Sequence, residues 1–562
     1  MEEIIEKLEL NLRLLELHDE NEFKIKSLSF AIRTLDEYPE NWIDFSTEKL
    51  ASIKGIGKSV AAKIESIKNT GNVAEILDLL EKTPTGLLDI FRIKGLGSKK
   101  IKMLWKEANI TNIEQLQNQA KAGNIANIKG FGEKMQQSIL EAIAYLKDNE
   151  CKSKINHAKA IAEIIYDYLK SNFPNSKLLI TGDVRQCNEI VNTIQLVVTH
   201  PKAWELFQVI NTMEGLEMDR KKSSPFAWRG FFSNSKTPIE ILVCNEKNFT
   251  GQCFINSASN THLQEYDLLK IAQNGDFENE EEIYKSVNLP YIIPEMRNGK
   301  SEFEWSKNHK TEALITWQAL KGSVHNHSTY SDGKHSLKEM ADGCKKLGFE
   351  YFGIADHSKT AFYANGLSEE RIAIQHKEIE QLNLIYAQDN LHTFKILKGI
   401  ESDILADGSL DYADEILKTF DYAVASVHQN LTMKLDKSMP RLIKAIENQY
   451  TTILGHPTGR LLLSREGYEV DHKKIIDACA ANGVVIELNA SPYRLDIDWR
   501  WIPYCLEKNV KIAINPDAHH LDGFMDMHYG VGAARKGGLI TEMTFNALSL
   551  KEIESFLKAK HG

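Results

Sequence analysis

From residue 320 onward the sequence alternates apolar and amphipathic stretches, and nearly every apolar stretch ends in a histidine or a carboxylate. The predicted strands are, in order, KGSVHNH, FEYFGIADH, FKILKGIE, FDYAVASVH, TTILGHP, VVIELNAS and VKIAINPDAHH. Helical stretches such as SLKEMADGCKKLGF and SMPRLIKAIENQ separate them. This alternation predicts parallel strands closed into a barrel.

The side chains at the strand ends predict a metal centre, because the loops of a parallel barrel gather at the carboxyl ends of its strands. On an extended strand, residues i and i+2 face the same side, so His325 and His327 point to one place. A single histidine at a strand end is explained by packing, whereas recurrence along most strands favours metal binding. The candidate ligands are His325, His327, Asp332, His357, Glu401, His428, His456, Asp517 and His519.

The same residues resemble, motif by motif, the polymerase and histidinol phosphatase (PHP) domain. The family pattern is H-x-H…D-G, D-H, G-x-E, S-x-H, G-H-P and D-A-H, and this chain reads HNH…DG, ADH, GIE, SVH, GHP and DAHH. The resemblance implies a distorted α/β (β/α)7 barrel over residues 316–562 that holds up to three metal ions. Imidazole and carboxylate ligands without thiolate suit Mn²⁺, Zn²⁺ or Fe²⁺. Ions of this kind activate water and hold phosphate oxygens, which predicts phosphoester hydrolysis.

Arg460, in GHPTGR, is the candidate catalytic residue outside the ligand set. A guanidinium matches the geometry of a phosphate, so Arg460 could clamp the substrate. An ion pair near the barrel rim explains the same arginine equally well, and the sequence leaves both interpretations open.

A pentapeptide recurs in the N-terminal quarter as IKGIG (53–57), IKGLG (93–97) and IKGFG (128–132). Each copy precedes a predicted helix, and its two glycines let the backbone turn tightly and leave amide N–H groups pointing outward. The repeats resemble the helix-hairpin-helix module, which implies binding to the DNA backbone without base readout. A helix-terminating glycine explains one copy, but three copies favour DNA binding. The candidate DNA-binding residues are Gly55, Gly57, Lys58, Gly95, Gly97, Lys99, Gly130, Gly132 and Lys134.

Charge is unevenly distributed along the chain. The formal net charge is −10, yet residues 51–154 hold 17 Lys and Arg against 11 Asp and Glu. A polyanion should therefore meet the N-terminal region.

Residues 151–315 resemble the palm and thumb of bacterial family X DNA polymerases, an α+β nucleotidyltransferase fold. KLLITG (177–182), TIQLVVTH (193–200) and IEILVC (239–244) predict strands. The family signature is G-S-x-R-R followed by G-D-x-D-x-L/I and a later aspartate. Gly182 and Arg185 match it, whereas Asp183 and Gln186 replace the serine and the second arginine. The metal-binding aspartates fall on Thr193, Gln195 and Glu240.

These replacements predict a degenerate polymerase site. Two divalent cations held close together need anionic ligands to offset their repulsion, and threonine and glutamine are neutral. Mg²⁺ in the palm is therefore not expected, and we expect no polymerase activity, although the fold itself should be kept.

The resemblance covers essentially the whole chain and implies three domains, 1–150, 151–315 and 316–562. It implies a DNA repair enzyme: a 3′→5′ exonuclease, or an enzyme that trims 3′ ends or abasic sites, acting on a single strand, a gapped duplex or a 3′ end. An active polymerase with exonuclease activity, a histidinol-phosphatase-like small-molecule phosphatase and a non-enzymatic DNA-binding scaffold are the alternatives. Seven scattered cysteines and the lack of a long apolar run predict a cytoplasmic protein without membrane contact, and no protein partner is indicated.

Overall fold

The computed structural model describes residues 2–36, 38, 42–93, 95–233, 235–389 and 393–561, so Lys94 of the second pentapeptide lies outside the described residues. The chain divides into two compact units, residues 1–150 and 151–562. The three domain ranges given above stay predictions. Within the described ranges, no helix combines the length and apolarity needed to cross a membrane.

The first unit is helical. Its α-helices are α1 (Glu2–Leu17), α2 (Glu22–Asp36), α3 (Thr47–Ser52), α4 (Lys58–Thr70), α5 (Ala74–Glu81), α6 (Ser98–Ala108), α7 (Ile113–Lys121) and α8 (Gly132–Asn149). Each pentapeptide leads into a long helix, α4, α6 or α8. An α-helix precedes the first pentapeptide, whereas 3₁₀ helices, Thr85–Arg92 and Ile125–Asn127, precede the other two. Two apolar clusters, one around Ile64 and one around Leu104, form the core.

The middle of the chain contains a five-stranded sheet in the order β2-β4-β7-β6-β5. The predicted strands appear as β2, β4 and β7, and β4 pairs with β7 in parallel. The strands are β1 (Ser153–Lys154), β2 (Leu178–Thr181), β3 (Ile190–Val191), β4 (Ile194–Thr199), β5 (Leu216–Met218), β6 (Ala227–Phe232) and β7 (Ile239–Cys244). The helices are α9 (Ile155–Asn172), α10 (Gly182–Arg185), α11 (Ala203–Ile210), α12 (Phe249–Asn256), α13 (Asn260–Gln264), α14 (Leu268–Asn274), α15 (Glu280–Lys285) and α16 (Glu302–Asn308).

The C-terminal part is a parallel barrel. Its strands are β8 (Gly322–Ser323), β9 (Tyr351–Gly353), β10 (Lys395–Leu397), β11 (Gly399–Asp403), β12 (Tyr422–Ser426), β13 (Thr451–Leu454), β14 (Val485–Asn489) and β15 (Ile512–Asn515). The predicted strand FKILKGIE is split between β10 and β11, so the seven predicted strands become eight. Two parallel bridges, His357 to Glu401 and Asn326 to Ala518, join the three-stranded and five-stranded sheets and close the barrel.

Helices cover the barrel and bury both faces of its strands. They are α17 (Leu337–Lys346), α18 (Glu369–Tyr386), α19 (Asp414–Leu417), α20 (Leu435–Ile446), α21 (His472–Asn482), α22 (Ile502–Glu507), α23 (Met527–Lys536) and α24 (Leu550–His561). Every residue of β11, β12 and β14 is buried, as expected for parallel strands covered on both faces. Val424, Ile453 and Val485 pack in one apolar cluster with residues of α24. The strand ends are therefore where polar side chains gather.

The barrel and the five-stranded sheet belong to the same compact unit and share polar contacts. Glu189, which follows α10, accepts hydrogen bonds from the Trp499 indole at 3.2 Å and from Arg500 at 2.8 Å. The buried ammonium of Lys536, in α23, donates to the Gln186 carbonyl at 3.1 Å. The loop after α10 is thus fixed against the barrel.

Candidate metal centre and nucleic-acid interface

The nine side chains predicted as metal ligands lie together at the strand ends. His327 and His357 link three overlapping groups, and within each group the ligand atoms lie within 4.8 Å of one another. The groups are His327, Asp332, His357 and His519; His325, His327 and Asp517; and His357, Glu401 and His428. His456 joins the cluster through its Nε2, 3.1 Å from Glu401 Oε1.

Glu401 is the carboxylate at the centre of the cluster. It is buried at the end of β11, and its Oε1 lies 3.1 Å from His428 Nε2 and 3.3 Å from His325 Nε2. Its Oε2 lies 2.8 Å from His357 Nδ1. Four imidazoles, counting that of His456, therefore lie within 3.3 Å of this carboxylate, and His327 Nε2 lies 3.8 Å from its Oε2.

Several of these atoms are close together without being hydrogen-bonded. Among the described residues, His325 Nε2, His357 Nδ1 and Glu401 Oε2 are buried and have no hydrogen-bond partner. A buried polar atom without a partner costs about 1–3 kcal/mol. Imidazole and carboxylate atoms that lie within 4.8 Å of one another, several of them unpartnered, are an arrangement that a cation satisfies, so the residues present fit divalent metal ions.

Burial opposes the effect of neighbouring charges on the pKa values of His428 and Glu401, whereas at His327 burial and the neighbouring imidazoles act together. Burial disfavours protonation of His428, but the carboxylates of Glu401 and Asp403 outweigh it and raise its pKa to about 10. Burial and neighbouring imidazoles lower the pKa of His327 to about 3. Although burial opposes ionisation of Glu401, the surrounding histidines hold its pKa well below the usual range. Glu401 is therefore ionised and available as an anionic ligand.

Two carboxylates that we did not predict orient the histidines from behind. Glu487, fully buried in β14, accepts a hydrogen bond from His325 Nδ1 at 2.6 Å, and Asp403 accepts one from His428 Nδ1. Each contact fixes the ring so that Nε2 faces the cluster, as orienting carboxylates do in metal sites. Sequence signals existed: Asp403 lies two residues after Glu401 on the same strand, and Glu487 is a lone charge in an apolar strand.

Arg460 does not face the cluster. Its Nη1 lies 2.7 Å from Asp498, and its Nε donates to the carbonyl of Arg494 at 2.9 Å. This contact corresponds to the ion-pair interpretation of Arg460, whose role as a phosphate clamp stays a prediction. Arg494 does lie beside the candidate ligands, with Nε 4.0 Å from Asp517 Oδ2.

In the palm-like sheet, the three degenerate positions lie beside an arginine. β4 and β7 place Gln195 opposite Glu240, and Gln195 Nε2 donates to Glu240 Oε2 at 2.8 Å. Arg229, on β6, contacts Glu240 Oε1 through Nε at 2.7 Å and through Nη2 at 2.6 Å. Thr193 lines the same cavity of about 160 Å³. Glu240, the one carboxylate among the three positions, is thus already paired with the guanidinium of Arg229.

The residues at the G-S-x-R-R signature positions are also engaged in internal contacts. Asp183 accepts hydrogen bonds from the Asn188 side chain at 2.6 Å and the Asn192 backbone at 2.7 Å. Arg185 is paired through two nitrogens with Glu280, at 2.6 and 3.1 Å. A Cβ on Gly182, whose φ is +63°, would lie 2.2 Å from the side-chain oxygen of Gln195. The glutamine therefore packs onto this glycine.

The three hairpins have the same kind of turn, but the free space around their glycines differs. Gly55, Gly95 and Gly130 all have positive φ, and Lys58, Lys99 and Lys134 are exposed. In the first hairpin, a Cβ on Gly55 would meet the Phe30 ring at 2.5 Å. Around Gly57, Gly95, Gly97, Gly130 and Gly132 such an atom meets nothing within 4 Å.

The third hairpin departs most from the other two. Gly57 and Gly97 have extended backbone and precede α4 and α6, whose first turns carry no acid. Gly132 instead has φ +76° and begins α8, which carries Glu133 in its first turn. An acid there opposes binding of a phosphate at the helix N-terminus. Among the described residues of the three turns, those of the second hairpin are therefore the most open and have no acid in the helix turn that follows.

Comparison with known proteins identifies the family. The PHP domain model matches residues 323–491, a helix-hairpin-helix domain model matches residues 1–73, and a SAM-like helix-hairpin-helix tandem model matches residues 86–144. A Bacillus subtilis (strain 168) protein named DNA polymerase/3′-5′ exonuclease PolX is 32% identical over 576 residues, which cover 99% of each chain. This chain belongs to the bacterial PolX family.

The membership confirms the resemblance seen in the sequence: a helical helix-hairpin-helix region, a mixed α/β middle and a C-terminal PHP domain. Shorter similarities connect this PolX chain to phosphatases. A probable phosphatase of Thermoanaerobacter sp. (strain X514) is 27% identical over 188 residues, 32% of this chain and 74% of the relative. One from Acetivibrio thermocellus is 28% identical over 205 residues, 35% of this chain and 78% of the relative. PHP domains are metal-dependent, in keeping with the His, Asp and Glu clusters.

The role of Glu487 in orienting His325 can be tested by metal affinity. Glu487→Gln keeps the shape of the side chain but weakens the imidazole contact, and we expect Mn²⁺ affinity to fall about 10- to 100-fold. Isothermal titration calorimetry on metal-stripped protein measures it. Asp407→Asn, on an exposed side chain that pairs with Lys444, is the matched control and should leave affinity unchanged. Equal affinity in all three proteins would contradict the assignment.

Proposed function

We propose that this chain hydrolyses phosphoesters of DNA at a metal centre in its PHP domain. The observation that carries the proposal is the cluster at the strand ends, where several buried imidazole and carboxylate atoms lie close together without a hydrogen-bond partner among the described residues. A fold with only structural histidines would pair these atoms, since unpaired buried polar groups destabilise it.

The ions that we propose are Mn²⁺ or Zn²⁺, with Fe²⁺ as a further candidate. Imidazole and carboxylate donors without thiolate suit these ions, and the three overlapping groups could hold up to three of them. When bound, they would supply positive charge for the phosphate oxygens and activate a water for attack. Glu401 contributes the central negative charge, and Glu487 and Asp403 hold His325 and His428 in the required orientation.

Arg494, rather than Arg460, is the residue that we propose for contact with the substrate phosphate. Its guanidinium lies next to Asp517 at the edge of the cluster and is partly exposed. Arg460 instead supports the loop that carries Arg494, because it donates to the carbonyls of Arg494 and Leu495 and pairs with Asp498.

DNA is the proposed substrate because the first unit carries two matched helix-hairpin-helix regions and a local excess of positive charge. The printed name of the Bacillus subtilis relative includes a 3′-5′ exonuclease. We therefore propose cutting from the 3′ end, on a single strand, a gapped duplex or a frayed 3′ end. Such a substrate is consistent with a cytoplasmic location.

Digestion of end-labelled oligonucleotides tests the proposal. With Mn²⁺ or Zn²⁺ and a 5′-labelled strand, we expect a ladder of products shortened from the 3′ end, and none after chelation. Arg494→Ala should lower kcat/KM about 10- to 100-fold without changing metal content, because a charge-assisted contact to phosphate is lost.

Arg460→Ala is the matched variant. It should lower the melting temperature, since Asp498 loses its 2.7 Å partner, and should affect kcat/KM less than Arg494→Ala. Turnover of histidinol phosphate without turnover of DNA would overturn the proposal in favour of a small-molecule phosphatase. A larger catalytic loss in Arg460→Ala than in Arg494→Ala would restore Arg460 as the clamp.

The palm, in our proposal, does not polymerise. Glu240 is the one acid among the three degenerate positions, and Arg229 already neutralises it, so two cations would find little compensating charge. Primer extension on a gapped template with Mn²⁺ should show no template-directed incorporation. Incorporation by the unmodified protein that disappears in Glu240→Ala would contradict this.

A further inference from the structure

Two aromatic side chains stand in solvent beside the candidate metal centre. Phe362 and Tyr363 form the tip of a short 3₁₀ turn, Phe362–Ala364, between the strand end that carries His357 and helix α18. Phe362 is 82% exposed and Tyr363 62% exposed. The Tyr363 ring centroid lies 6.4 Å from the His357 imidazole, and the Phe362 ring lies 6.3 Å from that of Tyr363.

The turn that presents these rings is firmly anchored. The Gly366 amide donates to the Ala361 carbonyl at 3.1 Å, which closes the turn at its base. The side chain of Asn365 donates to the carbonyls of Tyr330 and Ser331, both at 3.3 Å. The backbone is therefore held while the aromatic faces remain in water. Exposed apolar surface held in this way is typical of a binding site.

The chemistry around the turn indicates what the rings contact. Tyr363 lies beside His357, and burial together with the nearby carboxylates of Asp403, Glu401 and Asp332 raises the pKa of its phenol, while Arg494 acts in the opposite direction. A nucleotide whose phosphate lies at the cluster would bring its base alongside this edge. Aromatic side chains bind unpaired bases of any sequence by stacking on their π-faces.

We propose that Phe362 and Tyr363 form a stacking surface for the base of the 3′-terminal nucleotide during hydrolysis at the PHP centre. This inference rests on the proposed function, and it assigns a specificity role to residues outside the ligand set. Because stacking needs a base but not a particular base, the surface favours any nucleotide over an abasic terminus.

The test compares two 5′-labelled strands that differ only at the 3′ end, one with a normal terminal nucleotide and one with a tetrahydrofuran abasic analogue. The double variant Phe362→Ala, Tyr363→Ala should lower kcat/KM on the normal strand by about 5- to 150-fold. It should leave kcat/KM on the abasic strand unchanged. Phe226→Ala, on another exposed aromatic in the same unit, is the control and should match the unmodified protein on both strands.

An equal loss on both strands, or no loss on either, would overturn the proposal. A second readout does not need hydrolysis: a strand ending in 2-aminopurine, mixed with the Glu401→Gln variant, should lose fluorescence as its terminal base stacks. That quenching should vanish when Phe362→Ala and Tyr363→Ala are added. If the unmodified protein cuts neither strand, the proposed function fails. Quenching that persists when Glu401→Gln, Phe362→Ala and Tyr363→Ala are combined refutes the stacking surface separately. If the two rings instead mediate self-association, the protein should form a concentration-dependent dimer in sedimentation experiments and should not quench the 2-aminopurine, which would overturn the proposal.

Discussion

Burying imidazoles and carboxylates side by side is the constraint on which the rest of the second unit depends. Glu401 faces four histidines at the mouth of a barrel whose strands are buried on both faces, and several of the facing atoms have no hydrogen-bond partner among the described residues. Charges in such surroundings interact strongly and are costly when unmatched. The barrel offsets this cost partly by orienting contacts from Glu487 and Asp403, and we propose that bound cations offset the remainder.

The same constraint explains why the palm-like sheet and the barrel differ in their chemistry. In the barrel, acids and histidines converge, and Arg494 lies at the edge of their cluster with Nε 4.0 Å from Asp517 Oδ2. In the sheet, Glu240 is paired with Arg229, and Arg185 with Glu280, so the corresponding charges are satisfied within the protein. Contacts to the barrel give the sheet a structural use, because Glu189 holds Trp499 and Arg500 and the Gln186 carbonyl holds Lys536 of α23.

The barrel and the convergence of its histidines can be predicted from sequence periodicity. The remaining contacts depend on strand alignment, loop course and backbone conformation, which periodicity does not give. The i, i+2 rule predicts that His325 and His327 converge, and alternation of strands and helices predicts the barrel. The pairing of Arg229 with Glu240 depends on how β6 and β7 align, which the residues between them do not reveal. Which of the two arginines, Arg460 or Arg494, lies beside the candidate ligands depends on the course of the loop that carries Arg494. The different backbone at Gly132 is invisible in a pentapeptide that matches the other two.

Anomalous diffraction from crystals grown with Mn²⁺ tests the central claim most directly. Our account predicts separate anomalous peaks within the cluster, bounded by His325, Asp332, Glu401 and Asp517, and no peak beside Glu240. An empty cluster at saturating Mn²⁺ and Zn²⁺, with the imidazoles turned away from Glu401, would contradict it.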